Sequence, residues 1–278
     1  MPVSSLYVEG KADERILKAS LSLLPNNPNI ERKGSKDDLP HLVRRDRQNP
    51  PGLAVVYLRD RDFDTEPVFP TPSQPEPILS GGTVHGYRWQ RHEIESYLLT
   101  PELVHEAFKI EVNLTEAALL AAAAELRDYQ AARWTIGQTR KACRAGGSLR
   151  TRYPGTGEFQ LPADLSQDNI WNWLHQETSA LLHTYQQALD PDSIAAMFAG
   201  YQQRLSALTT AEEILLWYSP KDLLSAESFR AAWMLSGINP PHPADFSNKI
   251  ARWLEKGNGL RFFQLIPEAQ ALADLLTS

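Results

Sequence analysis

The chain lacks the features that mark several large classes of protein. Cys143 is the only cysteine among 278 residues, so an intramolecular disulfide and a thiolate zinc cluster are both excluded. The seven histidines form neither a His-Glu-x-x-His motif nor a zinc-like spacing. No Gly-x-x-x-x-Gly-Lys-Ser/Thr loop is present, so the chain has no P-loop ATPase mechanism of its own. If ATP matters to its function, a partner must hydrolyse it.

Long apolar runs are also missing. The longest uninterrupted one, Ala117 to Ala124, is well short of the roughly 18 residues that indicate a membrane span. The first residues, Met-Pro-Val-Ser-Ser, lack the basic and apolar regions of a secretory signal. We therefore expect a cytoplasmic protein with no membrane span. The net charge of −6 gives no global basic footprint, so nucleic-acid binding would need a local patch.

Short apolar segments alternate with helical patterns in the first hundred residues. Strands are predicted at 4–9, 29–32, 53–58 and 83–89, and helices at 11–24, 35–45 and 90–99. The order β-α-β-α-β is typical of a parallel sheet with crossover helices. The segment from Asp64 to Pro77 is rich in proline and predicts an exposed loop.

The rest of the chain is predicted to be mostly helical. Helices cover Pro101 to about Leu208, a last core strand is predicted at Glu213 to Tyr218, and helices follow it. The predicted fold is α/β: a mainly parallel sheet flanked by helices, with a large helical insertion and C-terminal helices. The predicted divisions are 1–100 for the first part of the core, 101–210 for the insertion, and 211–278 for the last strand and the C-terminal helices.

Acidic residues follow the predicted strands. Glu9 comes directly after the first strand, and Asp60 and Asp62 come after the third. Open α/β sheets bind ligands outside the carboxyl ends of their strands, and carboxylate oxygens suit Mg²⁺ or Mn²⁺. Asp13 lies four residues after Glu9 and can face the same side, although a favourable charge at a helix N-terminus accounts for it equally well.

A further acidic pair, Glu93 and Glu95, follows the strand at 83–89. Two residues apart on one helix cannot point at the same place, so only one is predicted to be a ligand. Glu93 is favoured because it lies nearer the end of the strand.

The Asp60-x-Asp62-x-Asp64 triplet also occurs in metal loops and turns of different kinds. An EF-hand is excluded, because Thr65 and Thr71 stand where that loop needs Gly and Glu. A glycosyltransferase Asp-x-Asp motif would hold a metal but gives no reason for Glu9. Aspartates that merely cap a turn remain a structural alternative.

Four segments together resemble the Toprim family. They are Tyr7-Val8-Glu9-Gly10-Lys11-Ala12-Asp13, Leu58-Arg59-Asp60-Arg61-Asp62, Arg91-His92-Glu93-Ile94-Glu95-Ser96-Tyr97-Leu98-Leu99 and Ser219-Pro220-Lys221-Asp222-Leu223-Leu224. The closer resemblance is to OLD-type nucleases and to the defence-associated, PARIS-like Toprim effectors encoded beside ABC-type ATPases. The segments depart from the family at Ser96, where Asn is common, and at Pro220, where Gly is common.

The resemblance implies roles for particular residues. Glu9, Asp60 and Asp62 would bind divalent metal, Glu93 would add an acidic ligand, and Lys221 would lie by the reacting phosphate. Glu9 and Lys221 would then be catalytic residues, and two Mg²⁺ or Mn²⁺ ions would suit phosphodiester hydrolysis. An ordinary solvated lysine is the alternative for Lys221.

The resemblance also implies a nuclease acting on DNA or RNA, tRNA included. It would be the toxic effector of an anti-phage system, controlled by an ABC-type ATPase partner. Arg59, Arg61 and Arg91 could hold the nucleic-acid backbone, or could pair with local carboxylates. The helical insertion would select the substrate or mediate a homodimer. The alternative function is a non-catalytic Toprim-like module that binds a partner.

Overall fold

A computed structural model describes residues 2–35, 37–48, 54–145, 164, 166–239 and 242–278. The strands are β1 Ser5–Val8, β2 Asn29–Arg32, β3 Val55–Arg59, β4 Glu76–Ser80 and β5 Thr83–Arg88. The first helices are α1 Lys11–Leu21, α2 Leu39–Gln48, α3 Ile94–Leu98, α4 Pro101–Phe108, α5 Val112–Ala145, α6 Gln167–Ala188 and α7 Pro191–Ser206. The remaining helices are α8 Ala211–Trp217, α9 Pro220–Ser225, α10 Glu227–Leu235, α11 Pro243–Trp253, α12 Gly259–Leu265 and α13 Pro267–Thr277, with a π-helical turn at Leu254–Asn258.

The chain forms two compact units. Unit 1 comprises Met1–Asp62, Glu66–Gln130 and Leu205–Ser278, and unit 2 comprises Phe63–Thr65 and Ala131–Arg204. The predicted insertion at 101–210 contains the larger segment of unit 2, whereas residues 101–130 belong to unit 1. The three-part division of the chain stays a prediction.

Unit 1 is built on a five-stranded sheet in the order β2-β1-β3-β5-β4. Strands β2, β1, β3 and β5 are parallel, and only β4 runs antiparallel, along the edge beside β5. The predicted α/β class with a mainly parallel sheet is confirmed, and the arrangement is consistent with a Rossmann-like or Toprim-like core. Leu53, the first residue of the predicted third strand, lies outside the described residues.

Side chains alternate between the two faces of the sheet, as a strand requires. Tyr7 of β1 and Tyr57 of β3 are buried on one face with Leu39 and Val43 of α2. Both strands are buried almost completely, as expected for parallel strands covered on both sides. Helix α1 packs against β2, α11 and α12. Helices therefore cover the faces of the sheet, and polar groups lie at its carboxyl edge.

Strand β4 lies where the sequence predicts the end of the proline-rich loop. Its sequence, Glu-Pro-Ile-Leu-Ser, contains Pro77, which cannot donate a backbone hydrogen bond. The strand lies at the edge of the sheet, the position where proline is tolerated. A proline-containing segment can thus pair with β5 without breaking the ladder.

The predicted last core strand, Glu213 to Tyr218, is wrong. Residues 213–217 belong to helix α8, Ala211–Trp217, Tyr218 is its C-cap, and the segment contributes nothing to the sheet. A capping box starts the helix: the Thr210 side chain accepts from the Glu213 backbone, and the Glu213 carboxylate accepts from the Thr210 N–H. A short apolar run such as Ile-Leu-Leu-Trp suits either structure, and the cap decides for the helix.

Unit 2 consists of the C-terminal part of α5 with α6 and α7. Trp134 is fully buried and stacks on Tyr201 of α7, with ring centroids 5.9 Å apart. Phe63 packs edge-on against Trp134 at 5.0 Å. A Cβ on Gly137 would lie 2.3 Å from the Phe63 carbonyl oxygen, so glycine permits this close approach. Within the described part of the chain, no helix is long and apolar enough to cross a membrane.

Candidate metal centre

The carboxyl ends of β1 and β3 meet where the order of the strands reverses. From β1 the chain crosses through α1 to β2 on one side, and then through α2 to β3 on the other side of β1. Such a reversal leaves a crevice at the strand ends, where open α/β sheets bind ligands. Glu9 leaves β1 and Asp60 leaves β3 at this point.

A cleft of about 670 Å³ lies at this edge of the sheet. Its acidic lining residues come from three different elements: Asp13 from α1, Asp60 from the end of β3, and Glu93 and Glu95 from the start of α3. The sheet topology thus collects carboxylates that are up to 82 positions apart in the chain, as Asp13 and Glu95 are.

Asp13 is buried in the first turn of α1 and is 5% exposed. The indole Nε1 of Trp89, directly after β5, donates a long hydrogen bond of 3.5 Å to Asp13 Oδ1. Gly10, the N-cap of α1, makes room for the carboxylate, because a Cβ there would lie 2.4 Å from Asp13 Oδ2. Gly10 and Trp89 together fix the position of this side chain.

Glu93 and Glu95 both line the cleft. The expectation that only one could do so assumed that both belong to one helix. Glu93 is instead the N-cap of α3 with extended backbone angles, φ −154° and ψ 168°, and only Glu95 lies in the helical turn. A helix boundary between the two residues turns both side chains toward the same cleft. The sequence analysis favours Glu93 because it lies nearer the end of the strand, and Glu95 is a second cleft residue that this reasoning passes over.

Lys221 lines the same cleft as these acids. It follows Pro220, the first residue of α9, and its Nζ forms an ion pair with Glu93. Proline is well accommodated at that helical position, so its presence in place of Gly leaves Lys221 facing the cleft. The Lys221 side chain is 60% exposed, whereas that of Glu93 is 14% exposed.

The segments that carry these residues are tied together. The Arg61 guanidinium, 4% exposed, donates to the Leu216 carbonyl at the end of α8. His92 places Nδ1 3.1 Å from the Arg61 carbonyl oxygen and Nε2 3.4 Å from the Trp217 carbonyl oxygen. These contacts hold the exit of β3 and the entry to α3 against the end of α8, from which the chain leads to Lys221.

Glu268 of α13 forms hydrogen bonds with α3 and with the segment that precedes it. It is 4% exposed and accepts hydrogen bonds from the Tyr97 hydroxyl group and, at 2.8 Å, from the Gln90 backbone N–H. Burial raises the pKa of Glu268 to about 7, against the lowering effect of these hydrogen bonds. The two donors flank the Glu93 to Glu95 segment, so a C-terminal helix takes part in positioning it.

Burial and the negative charges of neighbouring carboxylates raise the pKa values of Asp13 and Asp60. Burial, followed by the charge of Glu95, raises the pKa of Asp13 to about 7. Desolvation also raises the pKa of Asp60 well above its usual value, and Asp13 and Glu93 add to this effect. Desolvation lowers the pKa of Lys221, but the charges of Glu93 and Glu95 outweigh it, so the net change is upward. The group therefore needs protons or cations to balance it at neutral pH.

The donor chemistry of the cleft fits a hard divalent cation. All its acidic groups are carboxylates, the ligands that Mg²⁺ and Mn²⁺ favour, and the raised pKa values of Asp13 and Asp60 indicate negative charge that Lys221 does not fully offset. As the described side chains lie, however, no three Asp, Glu, His or Cys residues converge closely enough to hold an ion. Binding one would require the carboxylates to turn toward each other, which half-buried Glu9, Asp60 and Glu93 can do more readily than buried Asp13.

The remaining predicted ligands are placed differently. Glu9 is half-buried and contributes to the raised pKa of Asp60, which brings it within electrostatic reach of the cleft. Asp62 is exposed and does not line the cleft. Both remain predicted metal ligands.

The three predicted phosphate-binding arginines lie mostly inside unit 1. Arg61 would have to leave its buried position to contact a phosphate. Arg91 Nη1 donates to the Ser96 carbonyl at 3.1 Å and to Thr100 Oγ1 at 3.0 Å. Arg59 is half-buried, and its Nε has no hydrogen-bond partner among the described residues. That Nε is itself buried, so it would have to become exposed before it could donate to a phosphate oxygen.

Comparison with known proteins adds no assignment. No family model matches the chain, and no curated protein matches it.

Proposed function

We propose that the protein is a divalent-metal-dependent nuclease that hydrolyses a phosphodiester bond of DNA or RNA. One observation carries the proposal: Asp13 and Asp60, with Glu93 and Glu95, share a cleft with Lys221 at the reversal point of a parallel sheet. Structural carboxylates are normally paired or solvated one by one. In this group, burial and the neighbouring carboxylates raise the pKa of Asp13 and of Asp60, which is typical of a site that binds a cation.

Each residue would have a distinct role. Asp13, Asp60, Glu93 and Glu95, with Glu9 and Asp62 from the strand ends, would hold Mg²⁺ or Mn²⁺. Bound divalent cations would activate a water molecule and stabilise the leaving oxygen. The Lys221 ammonium, at the exposed side of the cleft, would donate to a phosphate oxygen and offset the charge that develops there.

The wider role is also a proposal. The resemblance to Toprim effectors encoded beside ABC-type ATPases supports a toxic anti-phage effector that a partner ATPase controls. The absence of a P-loop from the sequence is consistent with an ATPase supplied by another chain.

A non-catalytic, partner-binding module is the second candidate. The ion pair between Lys221 and Glu93 favours it, because a purely structural site would neutralise its acids in this way. The two candidates differ in metal binding, since a module stabilised by its own lysine has no need of an added cation.

The test is cleavage of a panel of plasmid DNA, single-stranded DNA and total tRNA with Mg²⁺ or Mn²⁺. We expect the wild type to cut at least one substrate, and Glu9→Ala and Asp60→Asn to lose the activity. Asp38→Asn, an exposed carboxylate of unit 1 outside the cleft, is the matched control and should keep it. Cleavage that persists in EDTA or in Asp60→Asn would contradict the proposal, as would a wild type that neither cuts the panel nor binds Mn²⁺.

A further inference from the structure

The cleft is lined by cations as well as by acids, and they differ in how they are engaged. Arg15 donates to Glu255 at 2.7 and 2.9 Å and to Asn248 at 3.0 Å. Lys221 is paired with Glu93. Lys11, the first residue of α1, is exposed, and its ammonium group forms no hydrogen bond or ion pair with any described residue. A cation that lines an acidic cleft without neutralising any of its carboxylates is available to an external anion.

A second exposed cation lies at the end of β2, the strand beside β1. Arg32 ends β2, and its Nε donates to the Glu9 carbonyl oxygen at 3.3 Å, across from β2 to the end of β1. Its backbone N–H also contacts Glu14, whose carboxylate is engaged by Lys18 at 2.7 Å. On the β2 side of the edge, Arg32 and Lys11 thus lie near one carboxylate, Glu14, which Lys18 already pairs, whereas the acids that line the cleft follow β1, β3 and β5.

The order of these groups follows the order of the strands. Arg32 is at the end of β2, Glu9 and Lys11 are at the end of β1, Asp60 is at the end of β3, and the segment after β5 leads to Glu93. Three steps of about 4.8 Å between neighbouring strands give about 14 Å. At a rise of about 3.4 Å per nucleotide in one strand, this distance corresponds to about four nucleotides.

We infer that Lys11 and Arg32 bind backbone phosphates of the substrate that lie next to the scissile phosphate, on the side nearer β2. The nucleic-acid strand would cross the carboxyl edge of the sheet from β2 toward β5, with the reacting phosphate over the carboxylates and Lys221 beyond it. This inference rests on the proposed nuclease function. It adds the direction in which the nucleic-acid strand crosses the sheet edge and two phosphate contacts that do not depend on base sequence. Phosphate contacts of this kind position a strand without reading its sequence.

The experiment measures binding separately from cleavage. The variants are Lys11→Gln, Arg32→Gln and the double substitution. Lys18→Gln is the matched control, because it removes the same charge from the same helix at a lysine already paired with Glu14. Fluorescence anisotropy of labelled single-stranded DNA, duplex DNA and tRNA is followed in Ca²⁺ over a series of KCl concentrations. Manganese affinity of each variant is measured by calorimetry.

The double variant should bind about 10- to 100-fold more weakly at a fixed salt concentration. Each lost phosphate contact should also reduce the slope of log K against log salt by about 0.7 on single strands or about 0.9 on duplex DNA. Lys18→Gln should match the wild type, and Mn²⁺ affinity should stay within about 3-fold in all variants. The substrate that shows the loss identifies the kind of strand that the edge accepts.

The outcomes separate this inference from the proposed function. Unchanged affinity and salt slope in the double variant, with a wild type that cleaves, would overturn the inference and leave the nuclease intact. Weakened binding in the double variant, with a wild type that binds but never cleaves, would support the phosphate contacts and count against hydrolysis. A wild type that binds none of the three substrates would overturn both.

Discussion

Replacing Asp13 with asparagine should stabilise the metal-free protein, and the gain should grow with pH. Burial and the charge of Glu95 raise the pKa of Asp13 from 3.8 to about 7. Because the folded-state pKa lies above the unfolded value, the folded protein binds this proton more tightly than the unfolded chain. The carboxyl group therefore costs stability progressively as the pH rises from about 4 to about 7, and the cost is complete above that range.

The size of the effect follows from the same interval. At 1.36 kcal/mol per pH unit, the difference between 3.8 and about 7 corresponds to about 4 kcal/mol above pH 7. At pH 5 only about 1–2 kcal/mol of this cost has developed, because pH 5 lies little more than one unit above 3.8, the pKa of the carboxyl group in the unfolded chain. Asparagine keeps the size of the side chain and an oxygen that can accept from Trp89.

Thermal unfolding in EDTA at pH 5 and pH 8 measures the difference. The Tm advantage of Asp13→Asn should widen by about 5–10 °C between the two pH values. Asp38→Asn is the control, because hydrogen bonds from the Ser35 backbone and hydroxyl lower the pKa of Asp38, and its loss should give no gain at either pH. An Asp13→Asn gain that is absent, or equal at both pH values, would refute the raised pKa and the account of the cleft as a site whose negative charge Lys221 does not fully offset.

Two glycines give further predictions. Gly10→Ala would place a Cβ 2.4 Å from Asp13 Oδ2 and displace that carboxylate. Calorimetry should therefore show an Mn²⁺ affinity at least about 10-fold lower than that of the wild type. An unchanged affinity would show that the position of Asp13 does not matter for metal binding. Gly86→Ala would place a Cβ 2.6 Å from the Tyr57 carbonyl oxygen, so urea unfolding should show a loss of about 1–3 kcal/mol. Gly200→Ala, in helix α7, would bring the new Cβ within 4 Å of no atom beyond the neighbouring backbone of its own helix, so it should instead gain about 0.5–1 kcal/mol. Equal effects at the two sites would contradict the packing.

Local signals were sufficient for most of the sheet. Strands β1 and β3 are short apolar segments that end at charged residues, and parallel strands buried on both faces give this pattern, whereas the edge strand β2 and the strand β5 mix polar and apolar residues. Strand β4 could not be predicted, because Pro77 is acceptable only at an edge, and the edge is a property of the assembled sheet. The segment at 213–218 was misassigned because its apolar residues suit either structure and its helix depends on the cap at Thr210.

The candidate site was predictable in outline for the same reason. Glu9, Asp60 and Glu93 follow strands whose ends the topology brings to one edge. Glu95 depends on the boundary of a five-residue helix, and boundaries shift by a residue or two without a strong sequence signal. Trp89 is 1% exposed and resembles any core tryptophan, so only its contact with Asp13 shows that its indole N–H serves the cleft.

The central claim is that the carboxylate cleft binds divalent metal, and calorimetric titration of the wild type and Asp60→Asn with Mn²⁺ at pH 8 tests it most directly. The account predicts saturable binding of about two ions to the wild type, weakened at least 10-fold in Asp60→Asn, with a higher Tm for the loaded wild type. A wild type that takes up no Mn²⁺, or an Asp60→Asn variant that binds it as tightly as the wild type, would contradict the account.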